Sequence, residues 1–343
     1  MCLASWRNWE SYMIKLTLAA LAASTILAGS ALAASVKPAI VYDIGGKNDK
    51  SFNEGVYNGA VRFQKESGVK FQDFEIKNDS QREQAMRNFA SKGFNPILVV
   101  GFSQAQALEK VAKEFPKTNF GIIDMVVGQP NVASVVFKEQ EGSYLVGVLA
   151  AMASKTGKVG FVGGMDIPLI RRFACGYKGG VMAANAKATV FENMTGTTGA
   201  AWNDPVKGGE LAKAQFAQGA DVVYHAAGGT GVGVLQAAAD AKKLGIGVDS
   251  NQNGMHPGSV LTSMLKRVDV ATYSLFSDAK KGKFTSGISA LGLAEGGVGW
   301  ALDDNNKKLI TPEMAKAVKQ AEADIKSGKI VVHDFMADQK CPY

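Results

Sequence analysis

From Ala39 onward, short apolar runs rich in β-branched residues alternate with segments whose apolar positions recur at helical spacing. Ala39-Ile40-Val41-Tyr42 predicts a strand. It leads into DIGGKNDKSFNEG, residues 43–55, and then into 56–64, where Val56, Ala60 and Phe63 fall at roughly helical spacing. Ser51 is placed as an N-cap, and Glu54 three residues later completes a capping-box pattern. The spacing then predicts a strand over 69–76, a helix over 81–91 with Ala85, Met86 and Phe89 on one face, and a strand over 96–100. A helix capped by Ser103 carries the stripe Leu108, Val111, Ala112 and Phe115, and strands follow over 118–124 and 132–137. Fully apolar strands alternating with helices indicate a parallel sheet covered on both faces.

A second series repeats the pattern. Helices are expected over 139–153, 168–186, 210–218 and 231–244, alternating with strands over 158–163, 188–194, 221–227 and 246–249. The last third adds a strand over 259–265, a helix over 268–281, a glycine-rich β segment over 287–302, and a helix over 312–326 with Pro312 at its first position. The fold class is therefore α/β, two doubly wound parallel-sheet lobes with a cleft between them. No low-complexity linker separates them, so crossing strands are the expected hinge. The boundaries drawn are 34–138 with 250–283 for the N-terminal lobe, and 139–249 with 284–343 for the C-terminal lobe.

The first 33 residues stand apart from this pattern. Lys15, an apolar run over 16–27 and Ala31-Leu32-Ala33 form the basic, apolar and small-residue order of a cleaved signal peptide. Met13 is the more natural start of such a segment. No cysteine stands directly after the cleavage point, so a soluble, periplasmic chain is expected rather than a lipid-anchored one. Of 38 basic and 31 acidic residues, Arg7, Lys15 and Glu10 precede position 34, which leaves 36 against 30 and a net charge of +6. The basic residues are interspersed with acids, which argues against a nucleic-acid partner. Cys175 and Cys341 remain; an oxidising compartment permits a bond between them, but their separation does not establish one.

Several strand ends carry polar or aromatic residues that a packed core does not need. Asp43 ends the first strand, with Asp49, Phe52 and Asn53 close behind it. Asp124 ends GIID, Phe173 lies in IRRFACGY and Trp202 in AAWNDP. Gly228 follows VVYHAA, Asp249 ends GIGVD and Lys266 ends VLTSMLK. A strand-end Asp alone is often a turn former and a lone Phe is often core. Their joint occurrence matters, because in open α/β sheets ligands bind at the carboxyl ends of strands.

Enzyme templates fail on these residues. GGTGVG has Val234 where G-x-G-x-x-G needs glycine, and no phosphate-binding G-x-x-x-x-G-K-[ST] occurs. His225, His256 and His333 share no ligand spacing with Cys175, so no metal is expected. Ser263 to Lys266 matches S-x-x-K, but Lys155-Thr156-Gly157 precedes it and no S-D-N accompanies them. No cofactor is implied. The residues offer binding chemistry instead: rings to sandwich a flat heterocycle, and carboxylates with a lysine to hold N–H groups and sugar hydroxyls. Three candidate carboxylates would repel a phosphate.

Read together, DIGGKNDKSFNEG, GIID, RRFACGYKGG, AAGGTGVGV, GVDSNQ and LTSMLKRVD resemble the basic membrane protein (Bmp) family of ABC-transporter substrate-binding proteins. That group includes purine-nucleoside-binding lipoproteins. The resemblance implies a type I periplasmic-binding-protein fold, no catalysis, and a purine nucleoside or nucleobase delivered by a monomeric receptor to an ABC permease and its ATPase. By motif position, Phe52 and Phe173 resemble a stacking pair. Asp43, Asp49, Asn53 and Asp124 resemble base-side contacts, Asp249 and Lys266 a ribose-binding pair, and Gly228 a point of close backbone approach. Asn251 departs from a frequent Asp, the lipobox cysteine is missing, and Trp202 has no clear counterpart. A sugar or other small polar solute, or a nucleoside-processing enzyme, are the alternative readings.

Overall fold

The computed structural model describes residues 36–343; the expected signal segment and its start at Met13 lie outside them. The first part of the chain runs β1 (Ala39–Tyr42), α1 (Phe52–Ser67), β2 (Gln72–Glu75), α2 (Gln81–Ser91), β3 (Ile97–Val100), α3 (Ala105–Glu114), β4 (Phe120–Ile123) and β5 (Val132–Phe137). The second runs α4 (Glu139–Ala153), β6 (Lys158–Met165), α5 (Pro168–Ala184), β7 (Thr189–Gly196), α6 (Pro205–Ala217), β8 (Val222–Ala226), α7 (Gly231–Asp240) and β9 (Leu244–Asp249). The rest comprises β10 (Val260–Lys266), α8 (Val268–Lys280), β11 (Gly287–Leu291), β12 (Val298–Trp300), α9 (Pro312–Lys326) and α10 (Phe335–Asp338).

Two six-stranded sheets form, in the orders β11-β5-β4-β3-β1-β2 and β12-β10-β9-β8-β6-β7. Every pairing between named strands is parallel except β10 with β12. The central strands β1, β3, β4 and β8 are buried throughout, as strands covered on both faces must be. In each sheet the order reverses beside its first strand, β1 and β6, and the crevice at such a switch point is where ligands sit in this class.

The lobe boundaries need correction. β10, expected in the N-terminal lobe, joins β9 in the second sheet, and β11, expected in the C-terminal lobe, pairs with β5 in the first. Helix α8 packs on α1 in the first lobe. The chain therefore crosses after β5, after β10 and again between β11 and β12. The glycine-rich segment over 287–302 is thus two strands in different sheets, β11 on the β5 edge of the first and β12 on the β10 edge of the second. Ser103 does not cap a helix with its side chain: it sits in a 3-10 turn, Phe102–Gln104, ahead of α3.

One close contact in the second lobe sets up the cleft. Helices α4 and α5 meet at glycines: a Cβ on Gly180 would come within 1.9 Å of the Tyr144 carbonyl oxygen, and one on Gly176 within 2.4 Å of that of Gln140. This backbone approach fixes the start of α4 against the stretch of α5 that holds Arg172 and Phe173. The two cysteines are bonded, with Cα atoms 5.6 Å apart, which fastens the C-terminal tail to α5.

Candidate functional site

A cavity of about 70 Å³ lies between the carboxyl ends of the two sheets, and all ten sequence-predicted residues line it. Asp43, Asp49, Phe52, Asn53 and Asp124 come from the first lobe; Phe173, Trp202, Gly228, Asp249 and Lys266 come from the second. Sequence reasoning missed the apolar wall formed by Phe102, Leu169 and Ile170. Phe102 follows the buried end of β3, and the other two open α5, so only their neighbours in the folded chain mark them as cleft residues.

The acids after β1 are largely occupied by the protein itself. Asp49 Oδ1 accepts the backbone N–H of Ser51 at 2.9 Å and of Glu54 at 3.0 Å, and Oδ2 accepts that of Asn53 at 2.9 Å. Asp49, rather than Ser51 with Glu54, therefore caps α1. An ionised acceptor facing three unpaired N–H groups satisfies more of the helix start than a hydroxyl can. Burial pushes its carboxyl up, while those three N–H groups pull the other way. Asp43 pairs with Arg82 Nη1 at 3.1 Å and accepts from Ser103 Oγ at 2.8 Å and from the Ile44 N–H at 2.8 Å.

Asp124 and Asp249 differ. Each ends a central strand, β4 or β9, and each adopts a left-handed backbone, φ 72° and φ 62°. That region costs a non-glycine residue of order 1 kcal/mol or more and recurs at ligand sites. Asp249 Oδ2 accepts the Ser51 hydroxyl at 2.5 Å, while no described residue donates to Oδ1. Burial pushes its carboxyl up to about 7, against the opposing pull of Lys266 and the Ser51 hydroxyl. Asp124 is pushed up to about 6 by burial, opposed by Lys266.

Lys266 is the charge between them. Its ammonium lies 2.7 Å from Asp124 and 2.9 Å from Glu139, and 5.1 Å and 5.5 Å from the ring centres of Phe52 and Phe173. These carboxylates and Asp249 hold it protonated, well above the ordinary lysine value, despite burial. The two rings come from opposite lobes and flank the same ammonium.

Asn53 presents a buried side-chain oxygen with no hydrogen-bond partner among the described residues. Such an orphan acceptor in a cavity wall calls for a donor from whatever fills the space. Trp202 ends a 3-10 turn, Gly199–Trp202, and its indole lies on the backbone of Gly164, where a Cβ would come within 2.1 Å of the ring. Gly228 has φ 55° and passes under the Trp202 carbonyl, a conformation and approach suited to glycine. Asn251 stands outside the cavity and donates to Asp303 at 2.7 Å.

The histidines take other parts. His225 is fully buried beside Gln252, at 2.9 Å, and burial lowers its imidazole to about 4, so it is neutral. Among the described residues no group of three His, Cys, Asp or Glu side chains could hold a metal ion, and no helix is long and apolar enough to cross a membrane.

Comparison with known proteins gives the same lineage by separate routes. Residues 36–334 match the family model described as Bmp, ABC transporter substrate-binding protein PnrA-like. The chain is 35% identical over 320 residues to the ABC transporter nucleoside-binding protein BmpA of Lactococcus lactis subsp. cremoris, covering 87% of this chain and 89% of that one. It is 36% identical over 313 residues to an uncharacterized lipoprotein of Pyrococcus horikoshii, covering 85% and 76%. Its fold superposes on an ABC transporter solute-binding protein of Aeropyrum pernix with a TM-score of 0.80 at 31% identity, covering 87% and 94%. The fold is thus that of type I periplasmic binding proteins. The chain belongs to the PnrA-like Bmp family of ABC transporter substrate-binding proteins, which are binding proteins and not enzymes.

Proposed function

We propose that this protein is the periplasmic receptor of an ABC importer and binds a purine nucleoside, or the free purine base, in the cleft between its lobes. The observation that carries the reading is the unfilled hydrogen-bonding capacity of the cavity wall. Asp249 Oδ1 and Asn53 Oδ1 are acceptors without protein donors, flanked by Phe52 and Phe173 and by the Lys266 ammonium. A flat ring with N–H donors and vicinal hydroxyls matches that set: the rings take its faces, Asn53 an N–H, and Asp249 with Lys266 the hydroxyls. The nucleoside-binding name of the Lactococcus lactis relative supports the same ligand class.

Asp43 and Asp49 shape the wall in this reading and contribute little direct contact, since their oxygens are already engaged. The ligand enters when the lobes part and is handed on as a monomeric complex to a permease driven by an ATPase. Export through the expected signal peptide places the receptor outside the inner membrane; the lipoprotein name of the Pyrococcus horikoshii relative makes the N-terminus the point to sequence in mature protein.

Titration calorimetry with inosine, adenosine, hypoxanthine, adenine and ribose tests the proposal, with chromatography of each mixture to detect bond cleavage. Nucleosides or purine bases bind without turnover, and a ligand at 100 times its Kd adds about 2.7 kcal/mol of stability. Binding of ribose or another sugar alone would favour the solute-receptor reading, because Asp249 and Lys266 suit hydroxyls of any source. Release of base at catalytic rates would replace the receptor with an enzyme.

A further inference from the structure

The two carboxylates that hold Lys266 are not equivalent. Asp124 follows β4 in the first sheet, so its contact with the end of β10 spans the cleft. Glu139 opens α4, which packs on β10 and β12 in the second lobe, the same lobe as Lys266. Glu139 is itself fully buried and has its own cation: Arg172 Nη1 donates to Glu139 Oε2 at 2.9 Å and to the Phe137 carbonyl at 2.8 Å. The other side of that guanidinium forms a two-pronged pair with Asp334, at 2.8 and 2.9 Å. Asp334 lies in the tail that the Cys175–Cys341 bond fastens to α5, the helix that carries Arg172. Neither Glu139, Arg172 nor Asp334 lines the cavity.

We propose that Glu139, backed by Arg172 and Asp334, is a positioning residue that keeps the Lys266 ammonium aimed into the cleft when the lobes separate. Opening breaks the contact with Asp124. With no carboxylate in contact, and Asp249 of the same lobe acting only at a distance, the ammonium is free to swing into the water that enters the opened cleft. Glu139 moves with Lys266 and so remains. The rings of Phe52, Phe137 and Phe173 around the ammonium accept no proton, which leaves the carboxylates to set its direction. Signs alternate from Asp334 through Arg172, Glu139 and Lys266 to Asp124, so each buried charge is met by the next. The fork geometry is one an arginine supplies and a lysine does not. The open receptor thereby keeps a pre-aimed donor for its ligand.

The test has two arms on the full-length protein. In the first, which needs no ligand, Lys266 is labelled with an amine-reactive reagent and its rate is read by peptide mass spectrometry relative to exposed lysines. Glu139→Gln speeds labelling of Lys266 by about tenfold, as expected for a loss of one pKa unit in the ammonium; an unchanged relative rate overturns the proposal. The second arm rests on the purine-receptor reading. Glu139→Gln weakens inosine by about tenfold and hypoxanthine by less than twofold, the split expected of a hydroxyl donor out of place. Equal losses for both ligands mean a merely structural role and also overturn it. If the wild-type protein binds neither ligand, the purine reading fails and the labelling arm still decides. Should Glu139→Gln not fold, Asp334→Asn, at the half-exposed end of the series, carries the same two signatures at about threefold, and their absence counts equally against the proposal.

Discussion

Asp43 and Asp49, at the end of β1, receive hydrogen bonds from three protein groups each, whereas Asp249, at the end of β9 in the other lobe, receives one. All three line the same cavity and all three are buried. The difference lies in their surroundings: Asp49 faces the unpaired N–H groups that open α1, and Asp43 faces Arg82 and Ser103, while Asp249 turns on a left-handed residue toward open space. A carboxylate already filled by protein donors builds the wall of a site. One left half-filled and buried is the group that gains from a ligand.

That contrast can be broken most forcefully at Asp49. Asp49→Ala should remove about 3 kcal/mol of stability, measured by urea unfolding, because three buried N–H groups lose a charged acceptor. A loss confined to ligand binding, with stability intact, would make Asp49 a contact and erase the distinction. Asp249→Ala should do the reverse. Nucleoside affinity falls by about 2 to 3 kcal/mol, or roughly 30- to 150-fold by calorimetry, with free-base affinity nearly unchanged.

Acidity sharpens the comparison. The Asp249 carboxyl is raised to about 7 in the folded protein, so the native state holds its proton more tightly than the unfolded chain does. Its contribution to stability is complete at low pH, and it is lost as pH rises from the ordinary carboxylate range through about 7. A ligand that donates to the ionised form behaves oppositely: nucleoside affinity should fall about tenfold between pH 8 and pH 6. Asp249→Asn should flatten both profiles, and a titration that persists in that variant belongs to another group. The smallest effect is at Phe52. Phe52→Ala should weaken nucleoside and base alike, about fivefold for a stacking contact of about 1 kcal/mol, and indifference of either ligand would remove the sandwich.

Much of this arrangement was legible in the chain. Helices Gln81–Ser91, Glu139–Ala153 and Pro312–Lys326 span the ranges expected from the sequence; the first buries one face, which sets both its period and its extent. The gathering of strand-end residues in one cleft followed from parallel topology. What periodicity does not encode is partner choice. β10 and β11 read as strands, but which sheet edge takes each depends on contacts far along the chain, and the lobe boundaries were misplaced there. Capping was misjudged for a similar reason: Ser51 with Glu54 and Asp49 are both plausible patterns, and the ionised side chain with three donors in reach prevails. Glu139 reads as an acid in a helix first turn, where it favours the dipole. Its burial becomes intelligible only beside Arg172 and Lys266. The pairing of Cys175 with Cys341 was equally hidden, because two cysteines far apart carry no signal of contact until the tail is seen against α5.

In the proposed function, a purine nucleoside or its base completes the half-filled acceptors of the cleft. Mass spectrometry of the small molecule released when the purified protein is denatured tests it directly. A purine nucleoside or free purine should be recovered at close to one per chain, and recovery of a sugar or another non-purine solute in that amount would overturn the purine reading.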